Sequence, residues 1–220
     1  MSKIAFQGEL GANSHLACQA QYPDMDVLPC ATFDEAFAAL RDGTAQLAMM
    51  PVENTVAGRV ADIHRLLPGS NLFIIGEYFM RVNHCLLGLP GSTEAELTHV
   101  HSHEMALGQC RQVIGELGLT AVVAADTAGS ARDLAQAQTA GHASIASPLA
   151  AQIYGLDVLR ENIEDSSQNT TRFLIMSASP DDAEPEEGDV ITSFIFRVRN
   201  VPAALYKALG GFATNNVNMT

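Results

Sequence analysis

Short apolar runs alternate with helical patterns from the first residues of the chain. The runs "KIAFQ", "VLPCA" and "LAMMP" have the length and composition of buried strands, while "SHLACQAQY", "FDEAFAALRDG" and "RVADIHRLL" space their apolar residues as amphipathic helices do. Such alternation predicts α/β layers with substantial parallel sheet. "NLFIIGEYFMRVNHCLLGLP" breaks the rhythm, because two strand-like runs follow each other with no helix between. A second alternation then runs from "HVHSHEMALGQCRQVIGELG" through "TAVVAA", "TAGSARDLAQAQTAG", "HASIA" and "SPLAAQIYG" to "LDVLRENI", and "RFLIM" returns the chain to the first unit. This order predicts two α/β lobes with a ligand cleft between them. Lobe one takes about residues 1–76 and 164–180, lobe two about 77–163, with crossings near 75–80 and 160–170.

Beyond the lobes, "DDAEPEEGD" (181–189) holds six carboxylates in nine residues and reads as a solvated linker. "VITSFIFRVRN" then reads as a strand and the segment from Pro202 as a helix, since proline is tolerated in a first helical turn. Residues 190–220 thus look like the start of a further α+β unit, and roughly 30 residues are too few to bury an independent core.

Charge narrows the partners. The formal balance is −13, from 25 acids against 12 bases, which opposes the phosphate backbone on which nucleic-acid binding depends. No membrane-spanning run and no secretory h-region is visible, so a cytoplasmic protein without membrane partners is expected. Cys18, Cys30, Cys85 and Cys110 are scattered without a CxxC pair and read as reduced core thiols.

Four polar clusters sit at the ends of these elements. In "FQGELGANSH", Gly8 and Gly11 permit a tight turn and Asn13 or Ser14 is expected to cap the following helix; the full phosphate-loop pattern is missing. In "MMPVENTVAGRV" the strand is expected to end at Pro51, leaving Glu53, Asn54 and Thr55 in a turn and helix cap before Gly58. In "HVHSHEMALGQC", Ser102 reads as an N-cap, with Gln109 within two turns of it, so that both border one cavity. His99, His101 and His103 alternate with the spacing of metal ligands on one face of a strand, but a helix beginning at Ser102 turns His103 away from the other two, and no metal is expected. The fourth cluster, "ENIEDSSQNTTRFLIM" (161–176), presents hydroxyls and amides without Gly or Pro before a buried strand. Such groups donate and accept hydrogen bonds without carrying charge, and they suit a site for a polar anion at the mouth of a sheet.

Taken together the clusters resemble the bacterial prephenate dehydratase family. "PVENTVAG" resembles its P[IV]ENS/TxxG segment, "HSHEMALGQC" its SHPQALxQC segment and "NTTRFLIM" its NxTRF segment, in the same order and spacing. "FIFRVRNVPAALYKALGGFATNNVNMT" resembles the front half of the ACT regulatory domain that follows in that family. Glu104 and Met105 depart from the usual Pro and Gln, Ala203 stands where the ACT motif usually has glycine, and the ESRP segment expected shortly after Thr220 is not reached.

The resemblance implies a two-lobed catalytic domain, similar to type II periplasmic binding proteins, followed by a truncated ACT domain. It implies conversion of prephenate to phenylpyruvate with loss of carbon dioxide and water, with no cofactor. Thr171 is implied at the leaving hydroxyl, with Ser102, Gln109, Glu53 and Asn54 positioning it or the substrate. Asn169, Arg172, Thr55, Gly58 and His103 are expected to contact substrate, with a structural role as the alternative for Arg172, and Asn200, Ala204 and Leu205 to form an incomplete site for L-phenylalanine as effector. A homodimer or homotetramer is implied as well, with weak or absent response to phenylalanine in a chain of this length. The alternatives are an arogenate dehydratase and a non-catalytic two-lobed sensor of a small acid or amino acid.

Overall fold

Two sheets, each covered on both faces, make up the body of the chain in the computed structural model, which describes residues 2–182 and 191–219. The chain divides into the units Met1–Asp182 and Ala183–Thr220. Among the described residues no helix is long and apolar enough to cross a membrane.

The first sheet contains β1 (Lys3–Gln7), β2 (Asp26–Cys30), β3 (Leu47–Asn54), β4 (Gly58–Arg59), β5 (Phe73–Arg81) and β11 (Thr170–Ser177), in the order β2-β1-β3-β11-β5, with β4 paired to β3. β1 runs parallel to β2 and β3, whereas β11 runs antiparallel between β3 and β5. Its apolar runs are continuous because both faces are buried. Ile4, Phe6, Met49, Phe173 and Ile175 pack on one side, under α1 (Asn13–Gln21); Ala5, Met50, Leu174 and Met176 pack on the other with Phe37 and Leu40 of α2 (Phe33–Arg41) and Ile63 of α3 (Ala61–Leu66). Each fully buried side chain of this kind contributes roughly 1.5–3 kcal/mol.

The second sheet has the order β10-β6-β9-β7-β8, from β6 (Cys85–Gly88), β7 (His99–Ser102), β8 (Thr120–Val123), β9 (His142–Ala146) and β10 (Asp157–Arg160). Helices α4 (Glu104–Gln109) and α5 (Arg111–Glu116) pack over one face on Leu86, Val100 and Ile145. Helices α6 (Thr127–Ala137) and α7 (Pro148–Tyr154) cover the other on Cys85, Leu87 and Ala146.

The first crossing differs from the one expected, while the second falls where it was expected. β5 stays paired to β11 as far as Arg81, so the chain leaves the first sheet at residues 82–84 rather than 75–80; it returns through 161–169. β3 also continues past Pro51 to Asn54 and turns back into β4, so 51–59 is a hairpin and not a turn with a helix cap. The expected single helix after β7 is broken at Cys110, where Asp165 accepts from the backbone N–H groups of Arg111 (3.0 Å) and Gln112 (3.1 Å) and so caps α5 from the returning segment.

A third connection joins the lobes. The loop before α1 lies on α7: Ser147 Oγ donates to the Gly11 carbonyl (2.5 Å), Tyr154 Oη donates to the Leu10 carbonyl (2.9 Å), and Glu9 pairs with Arg132 of α6 (2.6 Å). Gly11 is required there twice over, because its φ is +88° and a Cβ would lie 2.8 Å from the Ala150 Cα.

In the second unit, α8 (Ala204–Thr214) forms, starting two residues later than expected from Pro202, behind Ala203 in a left-handed conformation (φ 59°). The strand expected over 190–200 is not formed across its described residues, 191–200. A strand exists through a partner for its N–H and C=O groups, and the described residues of this unit provide none. Of the expected linker, residues 183–189 lie outside the described residues. Asn200 is exposed, Ala204 opens α8 and Leu205 is exposed on it.

Candidate functional site

The cleft between the two sheets encloses about 280 Å³ and is lined from both lobes and both crossings. That is near the lower end of small-molecule pockets, roughly 300–1,000 Å³, and fits a compact metabolite. Asn54 and Thr171 reach it from the first lobe, His103, Met105 and Gln109 from α4 and its cap, and His84 and Asn169 from the crossings.

The β3–β11 register sorts the expected residues between two faces. Thr171 lies opposite Asn54, and Arg172 opposite Glu53. Neighbouring residues on a strand point to opposite sides, so the first pair faces the cleft and the second faces away. Arg172 is held on that far side by Glu77 (Nη2 to Oε2 2.7 Å) and Glu53 (Nη1 to Oε1 3.2 Å), and its guanidinium stands 5.8 Å from the centre of the Phe79 ring. Neither Arg172 nor Glu53 lines the cavity.

A chain of hydrogen bonds runs along the cleft wall. Asn54 Oδ1 accepts from the backbone N–H groups of Val56 (2.9 Å) and Ala57 (2.8 Å), which fixes its amide and turns Nδ2 toward Asn169 Oδ1 (2.7 Å) and Thr171 Oγ1 (2.9 Å). Asn169 Nδ2 in turn donates to Gln109 Oε1 (2.8 Å), and the same oxygen meets His84 Nε2 (2.9 Å). Thr171 Oγ1 is therefore an acceptor toward Asn54, and its own proton is free to point at a ligand oxygen. Thr171 and Asn169 are almost wholly buried, at 8% and 2% exposure, so such a bond would form in surroundings where it is stronger than in water.

The remaining expected residues support this wall or stand apart from it. Thr55 Oγ1 donates to the Gln168 carbonyl (2.5 Å) and accepts from the Thr170 N–H (3.0 Å), stapling the hairpin to the returning segment. Gly58 pairs with Asn54 across the hairpin at φ +84°. Ser102 is not a helix cap: it ends β7, is fully buried, and spends its hydroxyl on the Ile145 carbonyl (2.6 Å). His103 caps α4 instead, with Nδ1 accepting from the Met105 N–H (3.3 Å), and it lines the cleft. His99 and His101 stack on His142 at 4.7 and 5.0 Å between centroids, and His101 Nε2 lies 2.8 Å from His142 Nδ1. Ring stacking of this kind does not converge lone pairs on one point, and no metal-holding group of His, Cys, Asp and Glu occurs among the described residues.

His84 was not among the expected residues, and neither were Asn13, Asp126 and Thr127 as cleft-lining groups. Polar residues between the two apolar runs of "FMRVNHCLLG" were the available signal for His84. Burial lowers its pKa below the usual 6.5, against the smaller opposing effects of Gln109 and the Glu164 carboxylate. Among the described lining residues there is no Arg or Lys. The N-terminus of α1 is a feature there that favours an anion: the helix opens at Asn13, and its cap residue Ala12 offers no side-chain acceptor to the first-turn N–H groups. α6 also starts at the cleft, but Asp126 caps it through the Gly129 N–H (2.6 Å).

Two α/β lobes around a small cleft with hydroxyl and amide donors define a small-molecule protein. A family model described as prephenate dehydratase matches residues 4–181, and the chain belongs to the prephenate dehydratase family. It is 52% identical over 217 residues to the bifunctional N-acyl-homoserine lactone acylase/prephenate dehydratase of Komagataeibacter europaeus, covering 99% of this chain and 77% of that protein. It is 37% identical over 219 residues to arogenate dehydratase/prephenate dehydratase 2 of Arabidopsis thaliana, covering 99% of this chain and 57% of that one, so it spans little more than half of the plant protein. Among solved structures, the prephenate dehydratase of Arthrobacter aurescens in complex with L-Phe matches with a TM-score of 0.84 at 28% identity, over 99% of this chain and 74% of that one.

Proposed function

We infer that the chain converts prephenate to phenylpyruvate, carbon dioxide and water at this cleft. The observation that carries the reading is the cleft-lining Thr171 hydroxyl, held as an acceptor by Asn54 so that its own proton is available to a ligand. In prephenate the bond between the ring and its carboxylate breaks, and its electron pair moves into the ring. The pair of the C–O bond leaves with the ring hydroxyl, which takes up a proton to become water. Aromatisation drives the step, so the protein has to supply orientation, a hydrogen bond to the leaving oxygen and desolvation of the departing carboxylate.

A threonine hydroxyl is a poor general acid, because efficient acids titrate near the working pH. Thr171 accordingly acts as a hydrogen-bond donor that stabilises the leaving hydroxide, while solvent supplies the net proton. The open N-terminus of α1 suits a carboxylate of the substrate. Incubation of the purified chain with prephenate, followed through phenylpyruvate absorbance, tests the reading; absence of product would refute it. Arogenate, with an amino group in place of the keto group, is the competing substrate, and the ratio of kcat/KM values decides between them.

A second reading follows from the Komagataeibacter relative, whose name includes an N-acyl-homoserine lactone acylase activity. Release of free homoserine lactone from an acylated lactone, abolished together with dehydration by one cleft substitution, would support a shared site. The support for L-phenylalanine as effector is the resemblance of residues 194–220 to an ACT segment and the L-Phe complex of the Arthrobacter aurescens protein.

A further inference from the structure

We propose that His84 is a positioning residue for the dehydration: through its Nε2–H it orders Gln109, Asn169 and Asn54, and thereby the direction in which Thr171 offers its proton. The proposal rests on the reading of the cleft as the dehydratase site.

The order of donors and acceptors along the wall has two ends. At one end the backbone N–H groups of Val56 and Ala57 fix Asn54. At the other, Gln109 Oε1 lies between Asn169 Nδ2 and His84 Nε2. Since Asn169 uses its oxygen to accept from Asn54, it must donate to Gln109, and Gln109 must therefore present oxygen to both neighbours. His84 then has to carry a proton on Nε2. In the other tautomer its lone pair would face the Gln109 oxygen. Gln109 would rotate to present its NH2 group, two donors would meet at Asn169, and a flipped Asn169 would oppose the donor of Asn54. With His84 as donor, the NH2 group of Gln109 is left to face a ligand.

The ring is placed to hold that order. His84 lies at the crossing between the sheets, at 4% exposure, and its backbone N–H donates to Glu164 Oε2 (2.9 Å) of the returning crossing. Glu164 is itself enclosed and pairs with Arg81 through its other oxygen (3.3 Å). His84, Gln109, Asn169 and Asn54 come from four separate segments, so the order exists only when both crossings and both lobes are assembled.

The test uses the full chain with His84→Phe, which keeps a ring and removes the donor, and His84→Gln, whose side-chain N–H reaches a position near that of Nε2. 15N-histidine NMR of the wild type should find the His84 ring with its proton on Nε2, assigned by the signal lost in His84→Phe. His84→Phe should lower kcat by about tenfold, the upper end of one neutral hydrogen bond, with KM for prephenate changed far less. His84→Gln should recover most of the lost kcat. A proton on Nδ1, a His84→Phe enzyme with wild-type kcat, or equal losses in both variants accompanied by a lowered Tm would each overturn the proposal, the last in favour of a packing role. The ring measurement needs no turnover. A wild-type chain inert toward prephenate but with the proton on Nε2 would therefore refute the functional reading, and with it the role in dehydration, while leaving the hydrogen-bond order standing.

Discussion

Asn54 and Thr171 face each other across β3 and β11, and Asn54 Nδ2 donates to Thr171 Oγ1 at 2.9 Å while its own oxygen is occupied by two backbone N–H groups. The amide cannot turn over without breaking both of those bonds. Asn54→Asp keeps the oxygen for the backbone but replaces the donor with a second anionic oxygen beside Thr171. The threonine proton then turns toward the carboxylate and away from the ligand, and the added charge opposes a dianionic substrate. Steady-state kinetics should show kcat/KM falling further in Asn54→Asp than in Asn54→Ala; the reverse order would mean that charge and donor direction at this position are unimportant.

Arg172 is expected to matter for the strand and not for substrate charge. Its guanidinium is shared by Glu53 and Glu77 on the side of the sheet turned from the cleft. Partly exposed ion pairs contribute about 0–1 kcal/mol each. Arg172→Met should lower stability by an amount of this order and leave KM for prephenate within about threefold of the wild type, against the tenfold per 1.4 kcal/mol expected from loss of a direct charge contact. A rise in KM of two orders of magnitude would show that the side chain reaches the substrate.

The alternation of apolar runs and helices was legible because buried strands and amphipathic helices carry different periods, and the return of "RFLIM" to the first sheet followed from its place in that alternation. The polar residues were legible as a group but not by role. Ser102 has the chemistry of an N-cap, yet one residue of register puts it inside β7, where a buried carbonyl takes its hydroxyl. Glu53 and Asn54 read as a turn because Pro51 precedes them, but β4 gives β3 a partner and extends it through both. Whether Arg172 faces the cleft depends on the parity of β11, which the surrounding polar residues do not disclose. His84 was hidden for a related reason: its importance lies in contacts with residues 25 and 80 positions away.

Gly11→Ala should be the most damaging of the small substitutions. The added Cβ meets the Ala150 backbone at 2.8 Å, and a φ of +88° is strained for any residue with a side chain. Displacing this loop moves the start of α1 at the cleft as well as the contact between the lobes. A loss of about 1–3 kcal/mol in stability is expected, with a raised KM, and denaturant unfolding together with kinetics checks both.

Burial lowers the pKa of His15, His84 and His101 from the usual 6.5. In the unfolded chain these histidines take up protons as the pH drops through 6.5, while the folded chain resists. Stability from this source is therefore complete above that pH and declines as the pH falls toward the lowered folded values. Thermal unfolding between pH 7.5 and 5 should show a declining Tm, and replacing His15 with Gln should flatten part of the slope. A Tm that rises on acidification through this window would contradict the assignment.

All four thiols are buried, and burial pushes Cys18 to about 12 and Cys85 to about 11, with Cys30 and Cys110 raised as well. The thiolate is the reactive form, so the native chain should resist alkylation at pH 8 and take up four equivalents once denatured. Rapid labelling of the native chain would show that one of these sites opens.

The central claim is that prephenate loses its hydroxyl to a hydrogen bond from Thr171. It is tested most directly by phenylpyruvate formation in the wild type and in Thr171→Val, which preserves the shape of the side chain and removes only the hydroxyl. Loss of a transition-state donor costs ~2.7–4 kcal/mol, so kcat should fall by about 10²–10³-fold, with an unchanged fold and with partial activity retained in Thr171→Ser. A Thr171→Val enzyme that turns prephenate over at nearly the wild-type rate would contradict the account.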